Sequence, residues 1–212
     1  MNQPVWLFDL DNTLHDATPH IFPHINRSMT AYVAEALGLS SEEAGRVRMD
    51  YWRRYGATLS GMMRRHGTPP AHFLRQTHHF PDLANMLVFD RALKTTLRRL
   101  PGRKIVFSNG PQHYAEAVLR LLGIRSCFAA VYSIERLRFR PKPQIQGFLR
   151  LLKSERLAAS RCIMVEDSPA NLRTAKMLGM KTVLVSRVAK LPAWVDLRLQ
   201  SVLELPRRLG RF

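Results

Sequence analysis

Acidic residues are scarce in this chain: 16 aspartates and glutamates stand against 33 lysines and arginines, for a formal net charge of +17. That balance disfavours basic partners and draws anionic ligands, raising their association rate. It does not by itself mark a nucleic-acid binder. The basic residues are scattered in pairs (Arg53-Arg54, Arg64-Arg65, Arg98-Arg99, Arg207-Arg208), without aromatic interleaving or Cys/His finger spacing. Nucleic acid therefore stays an alternative partner only, in the sense of a binding or scaffolding protein without catalysis. Cysteine is nearly absent: Cys127 and Cys162 make no disulfide framework, and Cys162 sits in the apolar run CIMV, where a buried thiol is the ordinary role. No apolar run approaches a membrane span and no basic-then-apolar leader opens the chain. A cytoplasmic protein with no membrane partner is the expectation. Repeats and low-complexity segments are also lacking. With 46% hydrophobic residues in 212, the chain can bury one core domain and a smaller insertion.

The few acids are unevenly placed, and residues 5–14, VWLFDLDNTL, show it best. An apolar run long enough for a buried strand ends in Asp9 and Asp11. Residues i and i+2 of an extended chain point to one side, so both carboxylates can share a pocket at the strand's carboxyl end. Two like charges there require a cation, a proton or a ring of donors, as in a metal site or an acid/base pair. A loop cap at Asp9 and turn chemistry at Asp11-Asn12 is the other explanation.

Downstream, Thr18 and Pro19 read as the N-cap and first position of a helix carrying Ile21, Ile25, Met29, Val33 and Leu37. Ser40 or Ser41 caps a second helix, Gly56 and Gly61 punctuate a third, and Pro69-Pro70 opens a fourth. No β-rich segment interrupts residues 19–79, which predicts an all-helical insertion covering the first strand's end. From about residue 90 strands and helices alternate: strands near 104–107, 129–133, 162–165 and 181–185, with helices between them and a packing tail from 191, helical at 201–205. Such alternation implies a parallel sheet with right-handed crossovers, whose ligands sit at the strands' carboxyl ends. The expected domains are 1–16 with 90–212 as an α/β core, and 17–89 as the insertion.

Four strand ends or adjoining loops present polar groups: Asp9 and Asp11; Ser108 and Asn109; Lys142 in RPKP; and Glu166, Asp167, Ser168 and Asn171. In that order they resemble the haloacid dehalogenase superfamily, whose D-x-D-x-T pattern matches Asp9, Asp11 and Thr13. Its strand-end Ser/Thr matches Ser108, its lysine Lys142 and its acidic pair Glu166-Asp167. The resemblance covers residues 5 to about 187. It implies a Rossmann-like three-layer α/β/α core with a mostly parallel sheet and an inserted helical cap of C1 type. It further implies a Mg²⁺-dependent phosphatase in which Asp9 is the nucleophile and Asp11 the general acid/base. Asp9, Asp11 (through its backbone carbonyl) and Asp167 would hold Mg²⁺, while Ser108 and Lys142 bind the phosphoryl group. Asp11 favours a phosphatase over the metal-free dehalogenases of the superfamily, which generally lack that aspartate.

Within the insertion, YWRRYGATLSG at residues 51–61 is similar to the pyrimidine 5′-nucleotidase family, as are EDSPANL at 166–172 and LGMKTV at 178–183. The chain departs from that family in Ser108-Asn109-Gly110 for T-N-A and Glu166-Asp167 for D-D. This resemblance implies a nucleoside 5′-monophosphate substrate, pyrimidine preferred, contacted by Asn109, Tyr51, Arg54, Tyr55 and Thr58. Another small phosphate ester, such as a sugar phosphate or phosphoglycolate, is the alternative. A monomer or small homo-oligomer is expected.

Overall fold

The structure, a computed structural model, describes residues 3–188 and 191–211. Met1, Asn2, Ala189, Lys190 and Phe212, which the expected core domain includes, lie outside the described residues. In chain order the elements are β1 (Val5–Phe8), α1 (Ile21–Leu37), α2 (Ser41–Tyr55), α3 (Thr58–His66), α4 (Pro70–Thr77) and α5 (Leu83–Met86). There follow α6 (Leu93–Arg99), β2 (Arg103–Phe107), α7 (Gln112–Leu121), β3 (Ala130–Tyr132), α8 (Ile145–Glu155), β4 (Cys162–Glu166), α9 (Pro169–Met177), β5 (Lys181–Val185) and β6 (Leu197–Leu199). Ala17–Leu87 form one compact unit, and the residues on either side form a second.

The second unit is built on a six-stranded sheet in the order β3-β2-β1-β4-β5-β6, with every pairing parallel. This is the Rossmann-like α/β arrangement expected. β1 is central because it is apolar throughout and fully buried, as a strand covered on both faces must be. Side-chain alternation divides it: Val5 and Leu7 pack with Phe148 and Leu151 of α8 and Leu172 and Ala175 of α9. Trp6 and Phe8 stack on the opposite face, and the buried indole N–H finds an acceptor in the Pro101 carbonyl at 2.8 Å. Where the chain leaves this unit and re-enters it, Asp16 and Val88 form an antiparallel bridge, the Asp16 N–H donating to the Val88 carbonyl at 2.8 Å.

In the helical unit, α2 begins at the expected place. Ser40 and Glu43 form a reciprocal capping box, and Gly56, at φ 78°, closes the helix in the left-handed region. The start of α1 differs from the expectation. Thr18-Pro19-His20 is a turn and the helix begins at Ile21, with no side-chain cap. Pro23 explains the shift: in a helix begun at Pro19, its ring would meet the Pro19 carbonyl. Begun at Ile21, it falls in the first turn, where N–H groups have no intrahelical partner. The tail differs too. Residues 202–211 form a 3₁₀ helix where a helix over 201–205 was expected, and β6, a strand that was not expected, extends the sheet beside β5. No helix among the described residues is long and apolar enough to cross a membrane.

Candidate active site

Parallel strands deliver the candidate residues to one edge of the sheet. Asp9 follows β1, its N–H still donating to the Val165 carbonyl of β4 at 3.0 Å, and the residue is only 8% exposed. Ser108 follows β2 and is equally committed, its N–H donating to the Tyr132 carbonyl at the end of β3. Its Oγ accepts the Gly110 N–H at 2.9 Å. A Cβ at Gly110 would sit 3.2 Å from that oxygen and 3.1 Å from the Tyr114 ring, so a larger residue would have to push one of them back by a few tenths of an ångström. Glu166 ends β4 with its carboxylate wholly buried, and Asp167 follows half-buried.

Lys142 ties these ends together. It lies on the loop before α8, 2% exposed, and its Nζ donates to Asp9 Oδ1 and Glu166 Oε2, both at 2.7 Å. The other Glu166 oxygen accepts the N–H groups of Asp167 and Ser168 at 3.1 Å each. Asn109 fixes the lysine's backbone at two points: its Oδ1 accepts the Lys142 N–H at 2.8 Å and its Nδ2 donates to the Lys142 carbonyl at 3.0 Å. Asn109, expected from the sequence to contact substrate, has both ends of its amide hydrogen-bonded to the Lys142 backbone.

Oxygen atoms of Asp9, Glu166 and Asp167 lie within 4.8 Å of one another, close enough to share a metal ion. Burial pushes the Asp9 carboxyl well above its usual range, Glu166 pushes it further and Lys142 only partly opposes. Burial likewise raises Glu166 and Asp167. Burial acts against the Lys142 charge, but the Asp9 and Glu166 carboxylates outweigh it and hold the ammonium above its ordinary range. One ammonium thus faces three carboxylates. A divalent cation would supply the missing charge and match an all-oxygen donor set, so these residues fit Mg²⁺.

Asp11 is placed apart from Lys142 in its hydrogen bonding. Its Oδ1 accepts the Tyr114 hydroxyl of α7 at 2.5 Å and meets His15 Nε2 at 2.9 Å. Neither partner stood out in the sequence. Tyr114 occupies an ordinary apolar position of an amphipathic helix, and His15 is one histidine of 8.

Tyr51, Arg54, Tyr55 and Thr58 belong to the helical unit, where each has a local partner. The Tyr51 hydroxyl pairs with His66 Nε2 at 2.6 Å, and Arg54 Nε donates to Asp50 at 2.7 Å. The Tyr55 hydroxyl accepts from Arg65 Nε at 3.0 Å, and the buried Thr58 hydroxyl donates to the Arg48 carbonyl at 3.5 Å.

Residues 5–179 match the family model of haloacid dehalogenase-like hydrolases. A phosphoglycolate phosphatase from Rhodospirillum rubrum is 31% identical over 192 residues, covering 85% of this chain and 78% of that protein. Phosphate metabolism protein 8 from Saccharomyces cerevisiae is 23% identical over 198 residues, and the match spans 85% of this chain but 60% of the yeast protein's length. Among solved structures, a phosphatase from Thermococcus onnurineus superposes with a TM-score of 0.69 at 21% identity, covering 99% of this chain and 98% of that one. At that identity the likeness shows the fold.

Proposed function

This chain belongs to the haloacid dehalogenase-like hydrolase family, and from that premise we propose that it is a Mg²⁺-dependent phosphomonoesterase acting through an aspartyl-phosphate on Asp9. The observation that carries the proposal is Lys142 Nζ, 2.7 Å from both Asp9 and Glu166 in a buried cluster with more carboxylates than cations. Such a cluster suits a phosphate dianion only if further positive charge is present. Mg²⁺ held by Asp9, Asp167 and the Asp11 backbone carbonyl would neutralise the phosphoryl oxygens and lower the repulsion between phosphate and nucleophile. Glu166, whose oxygens already accept Lys142 and two backbone N–H groups, serves to hold that lysine.

In the first step an Asp9 carboxylate oxygen bonds to phosphorus while the ester P–O bond breaks, its electron pair leaving on the alkoxide. Protonated Asp11 gives its proton to that alkoxide. In the second step Asp11, now a carboxylate, takes a proton from water as the water oxygen bonds to phosphorus. The bond from phosphorus to Asp9 breaks, and both aspartates return to their starting states. Ser108 and Lys142 hold the phosphoryl oxygens throughout.

For the leaving group, the segment at residues 51–61 favours a pyrimidine nucleoside 5′-monophosphate, recognised by Tyr51, Arg54, Tyr55 and Thr58. The name of the R. rubrum relative favours a second reading, phosphoglycolate. A phosphate-release screen over nucleotides, phosphoglycolate and sugar phosphates, with Mg²⁺ present or chelated, separates them. Release is expected to require the metal and to be fastest with a pyrimidine nucleotide. Asp9→Asn is expected to lower turnover by roughly 10⁴-fold or more, the scale of losing a nucleophile, while the melting temperature holds. Turnover that survives chelation, or that survives Asp9→Asn, would overturn the mechanism.

A further inference from the structure

Two buried side chains converge on one oxygen of Asp11. Tyr114 is 1% exposed and reaches Asp11 Oδ1 from α7 at 2.5 Å. His15, 4% exposed, reaches the same oxygen through Nε2 at 2.9 Å, four residues along the chain. The His15 Nδ1 atom is buried and has no protein partner. With the ring proton on Nε2 the imidazole donates to Asp11 and leaves only an acceptor unpaired. The polypeptide between Asp11 and His15 is itself constrained: Asn12 sits at φ 57°, the Leu14 N–H donates to the Leu10 carbonyl at 2.9 Å, and Asp11 and His15 form a bridge. Backbone and side chains therefore fix the direction of this carboxyl group.

We propose that Tyr114 and His15 are positioning residues for Asp11, holding its carboxyl in the one orientation that reaches the leaving-group oxygen. The assignment rests on the phosphatase reading above and names what makes Asp11 effective in it. A freely rotating carboxyl would meet the leaving oxygen in only a fraction of encounters, and a misplacement of about 1 Å can cost about 100-fold in rate. Tyr114 also couples the two catalytic strand ends. Its ring lies against the Gly110 turn that presents Ser108, so the group that binds the phosphoryl oxygen and the group that moves the proton share one support.

The test separates orientation from general structural support by using two leaving groups. An alkoxide needs a proton as it departs, whereas p-nitrophenolate does not. In single-turnover reactions with enzyme in excess, Tyr114→Phe is expected to slow release from the wild type's best alkyl phosphate by about 10- to 100-fold, with p-nitrophenol release kept within about threefold. His15→Ala is expected to give the same split, and His15→Gln, which keeps a donor near Nε2, to restore most of the alkyl rate. Equal slowing of both esters would make the role structural and overturn the proposal, as would unchanged rates with both. Should Tyr114→Phe fail to fold, the His15 pair decides alone. Failure of the phosphatase reading is seen separately, as a wild type that releases phosphate from neither ester.

Discussion

Polar side chains are handled in opposite ways by the two units of this molecule. In the α/β unit the decisive ones are buried or half-buried and share partners: Lys142 serves Asp9 and Glu166 at once, and Asp11 Oδ1 is met by Tyr114 and His15. In the helical unit the ion pairs are local and open to water, as in Arg54 with Asp50 and Arg46 with Glu42, each one helical turn apart. A shared buried partner fixes geometry, because moving one group leaves a second unsatisfied in a low-dielectric setting. An exposed pair fixes little, since water replaces whatever is lost. The contrast teaches where reaction geometry is built in and where surface chemistry can vary.

The largest effect expected from this contrast is at Asn109. Although its own side chain is on the surface, Asn109→Ala removes both hydrogen bonds that set the Lys142 backbone. Phosphate release should fall by about 10- to 100-fold in kcat/KM, more than the loss of about two ordinary hydrogen bonds does to thermal stability. A variant that melts early but turns over normally would show that Lys142 holds its place unaided.

An intermediate effect is expected in acid. Burial works against the Glu155 charge, but the Tyr132 hydroxyl at 2.6 Å and Arg103 more than offset it, so its carboxyl lies below its ordinary value of 4.5. A carboxyl that is more acidic when folded adds stability above pH 4.5, and that stability is lost as the pH falls through the folded-state value. Glu155→Gln should therefore lower the melting temperature at pH 7 and flatten its decline below pH 4.5. The exposed Glu43 of the α2 capping box is also shifted downward, by Ser40, and Glu43→Gln tests the other side of the comparison. A larger acid response at Glu43 than at Glu155 would break it.

The smallest effect is expected at Arg54. Arg54→Ala should change stability by no more than about 0.5 kcal/mol, as measured by denaturant unfolding, because both members of the pair are well exposed. A raised KM with unchanged kcat would then come from substrate recognition and would sharpen the division between the units.

The sheet and its edge were legible in the sequence because strands buried on both faces read as continuous apolar runs, and because carboxylates are conspicuous directly after such runs. VWLF before Asp9 and CIMV before Glu166-Asp167 are of this kind. Other features needed three dimensions. LRL at β6 is too short for any period to show, and the start of α1 was settled by Pro23, inside the helix, over the favourable Thr18-Pro19 signal. Tyr114 lies 103 residues from Asp11, and within α7 it has the spacing of any core aromatic. Asn109 was conspicuous as a polar strand-end residue, yet its partner was a backbone, which a sequence does not single out.

The bridge between Asp16 and Val88 gives the chain an entrance and an exit at one spot. From the standpoint of the sheet, everything between them is a loop closed at its neck, and lengthening such a loop adds an entropy cost that grows only logarithmically. The helical segment can thus be shortened, extended or exchanged with little consequence for the register of β1 on β2 and β4. Descendants of one ancestral sheet could acquire new helical inserts at this neck while Asp9, Lys142 and Glu166 keep their places.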